Sequence, residues 1–92
     1  MELEFVWDSK KEKSNVGKHG VSFHEGASVF GDPLSLTFPD SDHSMSEERF
    51  LTIGISNQWR TLILSHTDRE NKIRIISARL ATPRERRDYE EK

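Results

Sequence analysis

A predicted strand that runs directly into a well-capped helix, within residues 72–89, constrains the fold of this chain more than any other stretch. Its first half contains three isoleucines, whose β-branched side chains crowd a helix but suit a pleated strand. Thr82 can then cap a helix, Pro83 suits the first helical position, and Glu85 completes a capping box. We therefore predict a strand up to about Ala81, followed by a helix that begins after Thr82.

Six basic side chains accompany this strand and helix: Lys72, Arg74, Arg79, Arg84, Arg86 and Arg87. Two interpretations are open. The basic residues are either the solvated edge of an ordinary strand and a polar terminal helix, or a cationic platform for a ligand that carries phosphate.

The length and the charge distribution indicate one small polarised domain over residues 1–92. The 92 residues carry 14 basic and 16 acidic side chains, a formal net charge of −2. Residues 1–19 hold four of each, so they are neutral; residues 20–59 hold one basic and six acidic, so −5; residues 60–92 hold nine basic and six acidic, so +3. A local anionic ligand is therefore compatible with the mild overall charge.

The absence of cysteine excludes disulfides and thiolate chemistry, and it favours a cytoplasmic location. The longest apolar runs are three residues, so neither a membrane span nor a signal-peptide core is predicted.

The N-terminal part of the chain predicts a short strand and two helices. Asp8 caps a helix from about Ser9 to Lys18, which Gly20 ends, and its many lysines make it a solvated surface helix or a binding face. The second helix begins at Ser22, which forms a capping box with Glu25. Its apolar residues Phe23, Ala27 and Phe30 recur at helical spacing, and this stripe is predicted to face the core.

The loop after a second predicted strand, which covers residues 34–38, contains Asp40, Asp42 and His43. These side chains can form a metal site or ordinary turns. Their spacing fits no strong ligand pattern, so the turn is favoured and no metal or other cofactor is expected.

Three further strands joined by two hairpins complete an antiparallel sheet: Phe50–Ser56, Thr61–Asp68 and Lys72–Ala81. If Ser56 pairs with Thr61 and Thr67 with Lys72, each strand divides into two faces. The predicted core face holds Leu51, Ile53, Ile55, Leu62, Leu64, Ile73 and Ile75. The other face is a candidate ligand surface that holds Thr52, Gly54, Ser56, Thr61, Ser65, Thr67, Lys72 and Arg74, with Ile63, Ile76 and Ala78.

The predicted fold class is α+β, with two N-terminal helices over one face of the antiparallel sheet and a C-terminal helix. Tyr89 is the only large ring of the last helix, which is therefore expected to gain little by packing on its own sheet.

Several short motifs, spread over nearly the whole chain in the right order, resemble the BrnT toxin family. They are Trp7-Asp8 with Asn15 and Lys18-His19-Gly20-Val21, Asp32-Pro33-Leu34, Asp40 with Asp42-His43, Glu47-Glu48-Arg49, Ile53-Gly54, Ile73 to Arg79, Ala81-Thr82, Arg84-Glu85-Arg86 and Tyr89. Leu80 departs from the pattern, since the family often has a basic residue there.

The resemblance implies a RelE-like toxin of a type II toxin–antitoxin system, a ribonuclease that halts translation. It also implies a partner, a BrnA-type ribbon-helix-helix antitoxin, with which the toxin represses its own operon by binding operator DNA.

A ribonuclease without a metal uses the RNA 2′-hydroxyl as nucleophile, with an acid, a base and cations around the phosphorane. We predict His66 as the leading acid–base candidate and Arg74 and Arg79 as the catalytic cations, while Glu70 fits a turn better. RNA contacts are predicted at Lys18, His19, Lys72, Arg87 and Tyr89.

The antitoxin is expected to form a hetero-oligomer with the toxin and to compete with RNA. It would cover the polar face close to Arg79, Arg87 and Tyr89. The alternative function is a non-catalytic module that binds nucleic acid or protein through the same basic face.

Overall fold

The structure, a computed structural model, describes residues 3–43 and 47–91. Strand β1 (Glu4–Val6) leads into helix α1 (Ser9–His19), and helix α2 (Phe23–Ala27) continues as a 3-10 turn over Ser28–Gly31. Four strands follow, β2 (Leu36–Pro39), β3 (Phe50–Ile55), β4 (Thr61–Arg69) and β5 (Lys72–Leu80), with a short 3-10 turn over Ser41–His43 after β2. Helix α3 (Pro83–Glu90) ends the chain. No helix in the described ranges is long and apolar enough to span a membrane.

The five strands form one mixed sheet in the order β1-β5-β4-β3-β2. Strands β2 to β5 pair antiparallel as predicted, but β1 runs parallel to β5, so the purely antiparallel sheet was wrong. Tight turns force the antiparallel direction on β3, β4 and β5. Strand β1 is followed by α1 and is not connected to β5 by a tight turn. Its direction is therefore not constrained in this way.

A buried asparagine attaches α1 to the outer edge of β5. Asn15 donates to the carbonyl oxygens of Val21 (2.8 Å) and Ala78 (2.7 Å) and accepts from the Ala78 amide (3.1 Å). The helix has the predicted ends, because the Asp8 side chain accepts two first-turn amides and Gly20 adopts a φ of +67°. Asn15 thus satisfies the Ala78 backbone at a position that β1 does not reach.

Helix α2 begins at Ser22 as predicted, and Ser22 Oγ accepts from the Glu25 amide at 3.0 Å. The capping box is not completed, because the Glu25 carboxylate turns instead toward Ser56 and Arg60. The Arg60 hydrogen bond lowers the pKa of this buried carboxyl. Glu25 therefore ties the helix to the β3–β4 turn.

The β3–β4 pairing differs by one residue from the predicted register. Ile55, not Ser56, lies opposite Thr61, and the Ser56 amide donates to the carbonyl oxygen of Arg60 at 2.8 Å. Trp59 adopts a positive φ of 61° in this turn. Because side chains alternate along a strand, the shift reverses the faces of β3 relative to β4. Leu51, Ile53 and Ile55 therefore share a face with Ile63, whereas Thr52, Gly54 and Ser56 lie on the face that α1 and α2 cover.

The β4–β5 pairing also differs, since Lys72 lies opposite Arg69 and not Thr67. Glu70 takes a φ of 59° in the turn, which confirms it as a turn residue. A bulge follows: Ile75 lies opposite His66 and Ser77 opposite Ser65, so Ile76 is inserted between them. Beyond the bulge the faces of β5 are exchanged, and Ala78, predicted on the polar face, is buried in the core.

Two apolar clusters lie on opposite faces of the sheet. The larger, under α1 and α2, consists of Val21, Phe23, Val29, Leu62, Leu64, Ile73, Ile75 and Ala78, with Phe5, Trp7, Ala27 and Phe30 packed against it. This confirms the predicted stripe of α2. The smaller consists of Ile53, Ile63 and Tyr89, with Leu51, Ile55 and Ala81.

Helix α3 packs on its own sheet through a single side chain, contrary to the expectation that it gains little there. Tyr89 is 5% exposed, and its hydroxyl donates to the Asp32 carboxylate. Asp32 also accepts from the amides of Leu34 (2.9 Å) and Ile55 (2.9 Å). Asp32 therefore connects α3, β3 and the turn before β2.

Candidate nucleic-acid interface

A chain of four hydrogen-bonding side chains crosses the sheet from β2 to the end of β4. The fully buried His66 ring lies 2.7 Å from Thr52 Oγ1 through Nε2 and 2.5 Å from Asp68 through Nδ1. Thr52 lies 2.7 Å from Thr37 Oγ1. In the neutral tautomer whose Nδ1–H donates to Asp68, Nε2 accepts from Thr52, and Thr52 in turn accepts from Thr37.

Two aromatic rings enclose the same histidine. Its centroid is 5.1 Å from that of Phe30, edge to face, and 6.0 Å from that of Phe50, stacked. The bulge beside His66 does not expose it. The hydrogen-bonded chain around the imidazole therefore reaches the surface at its two ends, at the exposed Thr37 on β2 and at Asp68, whose side chain is 41% exposed.

Asp68, at the end of β4, also lines a cavity that holds the cations predicted at the start of β5. By strand alternation its side chain leaves the sheet on the His66 face, whereas the side chain of Arg74, opposite Thr67, leaves it on the other face. This Arg74 cavity, of about 460 Å³, is lined by Val6, Glu47, Glu48, Thr67, Asp68, Arg69, Lys72 and Arg74. Arg74 is 43% exposed and forms an ion pair with Glu47. The cavity combines three cationic side chains with three carboxylates, the groups that proton transfer and phosphate binding require.

Arg79 lies on the same face of β5 but in a different cavity. Its guanidinium donates to both carboxylate oxygens of Glu85, at 2.8 and 3.0 Å. Glu85 also accepts from the Thr82 amide at 2.8 Å and completes the predicted capping box. The Arg79 hydrogen bond lowers the pKa of Glu85 to about 2 and raises the pKa of Arg79. The pair fixes the guanidinium at the start of α3, with 39% of the side chain exposed.

The bulge of β5 separates two further cavities, and Ile76 and Ser77 line both. One, of about 210 Å³, is lined from α1 by Lys11, Ser14, Asn15, Lys18 and His19. The other, of about 400 Å³, is lined by Asp40, Asp42, Arg49, Leu51, Ser65 and Arg79. The edge of β5 at Ser77 thus lies between Lys18 and His19 on one side and Arg79 on the other.

The predicted residues therefore fall into four groups. His66, through Asp68, joins Lys72 and Arg74 in the Arg74 cavity. Lys18, His19 and Arg79 flank the β5 edge. Arg87 is exposed on α3 and lines neither of these sites. Tyr89 is buried between α3 and the sheet, so a direct RNA contact at Tyr89 does not fit this conformation.

Sequence reasoning did not single out Asp68, Arg69 or Lys11. A signal existed for Lys11, because it precedes Lys18 by seven residues and so shares its helix face. For Asp68 the signal was its position two residues after His66 on a strand, where both side chains point to one face.

The predicted loop carboxylates Asp40 and Asp42 line the cavity beside Arg79, and the side chain of His43 lies outside the described residues. Within the described part of the chain, no group of three or more His, Cys, Asp or Glu side chains has an arrangement that could hold a metal ion.

Comparison with known proteins identifies the family. The family model for the ribonuclease toxin BrnT of type II toxin–antitoxin systems matches residues 7–85. The fold is similar to the crystal structure of the Brucella abortus ribonuclease toxin BrnT, with a TM-score of 0.67 and 22% identity over 87% of this chain and 97% of that one. Among curated proteins, none matches this sequence. Since the family model covers most of the chain, the protein belongs to the BrnT family of ribonuclease toxins of type II toxin–antitoxin systems.

Proposed function

We propose that this protein is a metal-independent endoribonuclease that cleaves RNA in the Arg74 cavity and thereby inhibits translation. The observation that carries the proposal is one cavity lined by Arg69, Lys72 and Arg74 and, at the end of β4, by the exposed Asp68, whose carboxylate binds the buried His66. A carboxylate held in one orientation by a buried imidazole suits proton transfer, and the cations suit a phosphate.

In the proposed reaction Asp68 accepts the proton of the RNA 2′-hydroxyl. The 2′-oxygen attacks the adjacent phosphorus, and the bond from phosphorus to the 5′-oxygen breaks. The products are a 2′,3′-cyclic phosphate and a 5′-hydroxyl, whose oxygen takes a proton from a general acid. Arg74 and Lys72 stabilise the charge of the phosphorane. His66 is then a positioning residue, because it acts through Asp68.

Arg79 extends the interface beyond the reacting phosphate. With one edge of its guanidinium committed to Glu85, it is held beside Ser77 and Arg49, and Lys18 and His19 lie on the other side of the same strand edge. A further stretch of the RNA backbone would bind there, and Arg87 would add charge from the exposed side of α3.

The regulatory part of the proposal follows from the toxin–antitoxin family. A BrnA-type antitoxin with a ribbon-helix-helix domain would cover the open sheet face near Arg79 and Arg87 and exclude RNA. The complex would bind operator DNA through the antitoxin. A cytoplasmic location, which suits a toxin–antitoxin family, and a RelE-like relationship belong to the same proposal.

Charge reversal tests the site directly. In the Arg74→Glu, Arg79→Glu double variant, RNA cleavage and toxicity should be lost while circular dichroism shows the wild-type fold, because both arginines are partly exposed and supply no core area. The assay uses a defined RNA with and without EDTA, and EDTA should not change the wild-type rate. A folded double variant with full toxicity would contradict the site.

One observation favours the non-catalytic alternative. The leading acid–base candidate, His66, is fully buried and has no direct path to a phosphate. If the wild type binds the RNA but leaves it intact under every condition, the protein is a binding module that uses the same cations.

A further inference from the structure

Trp59 is exposed in a way that the stability of this fold does not explain. Its side chain is 86% exposed, and its backbone takes a φ of 61°, a conformation that bulky residues rarely adopt. A glycine would fit the same backbone without strain. Strained non-glycine residues of this kind are concentrated at functional sites.

The turn that carries Trp59 is held rigidly from below. Ser56 Oγ donates to the buried Glu25 carboxylate at 2.7 Å and accepts from the amides of Gln58 (3.2 Å) and Arg60 (3.3 Å). The Asn57 amide donates to Ser28 Oγ at 2.8 Å. The backbone that carries the indole is therefore held in one conformation, which reduces the backbone entropy lost when a partner binds the turn.

An apolar strip continues from Trp59 along the β2 edge of the sheet. A cavity of about 380 Å³ places Pro33 and Ile55 beside Trp59, and a cavity of about 190 Å³ is lined by Leu36, Phe38, Leu51, Ile53, Ile63, Glu85, Asp88 and Tyr89. Leu36 and Phe38 are 41% and 45% exposed and belong to an edge strand whose four residues are all exposed. Such an edge is a template for an added strand.

The charges around this strip decide what it binds. Asp32, Glu85 and Asp88 line the two cavities, with Glu85 paired to Arg79, and none of the described residues that line them is a lysine or an arginine. RNA would bring phosphates against these carboxylates. A symmetric pair of copies would bring the carboxylates of both copies together. A protein segment with apolar and basic side chains fits both the surface and its charge.

We propose that the strip formed by Leu36, Phe38 and Trp59 binds an extended segment of the antitoxin, apolar with lysine or arginine side chains, as an added strand along β2. This inference rests on the proposed function for the existence of the antitoxin. The strip lies at the opposite edge of the sheet from Lys18, His19 and Ser77, so the antitoxin is anchored away from the cations that it covers.

The test measures the Kd between the full-length toxin and the antitoxin encoded beside it. Trp59→Gly should weaken binding about 30-fold or more, as expected for a central aromatic anchor, without lowering the melting temperature, because it removes backbone strain. Phe38→Lys should weaken binding similarly. The matched control is Val16→Lys on α1, which has the same 45% exposure and should bind like the wild type.

Two charge-reversal variants test whether the bound antitoxin segment carries basic side chains. Asp88→Lys should weaken binding about tenfold, whereas Glu90→Lys, on another side of α3, should leave it unchanged. RNA cleavage by Trp59→Gly and Phe38→Lys should equal that of the wild type.

Four results would overturn the inference. If wild type, Trp59→Gly and Phe38→Lys bind the antitoxin equally well, the strip is not its binding site, and the proposed function is unaffected. Loss of RNA cleavage in Trp59→Gly with unchanged antitoxin binding assigns the strip to RNA. A wild-type dimer in light scattering that Phe38→Lys abolishes, with antitoxin binding unchanged, assigns the strip to a second copy. If the wild type binds no antitoxin, the partner in the proposed function fails together with the inference.

Discussion

At the scale of single residues, one carboxylate has two roles at the β5–α3 junction. Glu85 caps the first turn of α3 and orients Arg79, so it connects helix formation to the placement of a predicted RNA contact. The capping box was predictable because it depends on local spacing alone. The pairing of Glu85 with Arg79 was less predictable, because it also depends on β5 ending at Leu80, just before α3.

Glu85→Gln should destabilise the protein by about 1 kcal/mol at neutral pH. The pKa of Glu85 falls from 4.5 to about 2 on folding, so its contribution is complete above pH 4.5 and disappears as the pH falls through 2. The partly exposed pair is screened by water, so the contribution is smaller than the full shift implies. Urea unfolding from pH 7 to pH 3 should show the difference between wild type and variant shrinking.

Glu90→Gln is the matched control, since Glu90 is an exposed carboxylate of the same helix. A difference for Glu85→Gln that stays constant over the whole pH range would contradict the linkage.

At the scale of elements, the strands and helices were predictable but the register was not. Apolar alternation and caps located α1, α2, β3, β4, β5 and α3 because those signals are local. The faces of β3 depend on whether the turn to β4 holds an odd or even number of residues. A positive φ in a turn is usually indicated by a glycine in the sequence, and here the residue is Trp59. The bulge inserts Ile76 as one extra residue in β5, and this insertion exchanges the faces of the residues that follow it. The buried position of His66 followed from tertiary packing.

Gly54 shows how closely β3 approaches the turn before β2. A Cβ atom there would lie 2.8 Å from Val29 Cγ1 and 3.0 Å from Ser35 Cβ. Gly54→Ala should therefore destabilise the protein by about 1–3 kcal/mol through overpacking. Gly17→Ala, in α1 with open space around it, should stabilise by about 0.5–1 kcal/mol. Equal midpoints of urea unfolding for the two variants would contradict the close approach of Val29 and Ser35 to Gly54.

The buried ring of Tyr89 is expected to hold α3 against the sheet. Tyr89→Ala should cost about 3–5 kcal/mol, the range for removing a buried ring, whereas Tyr89→Phe should cost about 1 kcal/mol for the lost hydrogen bond to Asp32. Amide hydrogen exchange should show α3 opening in Tyr89→Ala and protected in Tyr89→Phe. If α3 exchanges equally in both variants, the helix is not held by this ring.

At the scale of the whole molecule, the fold places chemically different surfaces at opposite edges of one sheet. The β5 edge carries Lys18, His19 and Arg79, and the β2 edge carries exposed apolar side chains beside carboxylates. The charges of the sequence, −5 over residues 20–59 and +3 over residues 60–92, indicated a polarised chain but not this arrangement. Lys18 and His19 come from the neutral residues 1–19, and Glu85 and Asp88 come from the basic block. They did not predict that Asp68 would line one cavity with Arg69, Lys72 and Arg74, because that depends on the β4–β5 pairing.

The most direct measurement is the single-turnover cleavage rate of a defined RNA, in EDTA, by wild type, Asp68→Asn and the control Asp88→Asn. An asparagine at position 68 still accepts from His66 Nδ1, so the fold should persist. The wild type and Asp88→Asn should cleave at equal rates and leave 2′,3′-cyclic phosphate ends, and Asp68→Asn should be slower by about 100-fold or more. Equal rates for wild type and a folded Asp68→Asn variant would contradict Asp68 as the base of the proposed reaction.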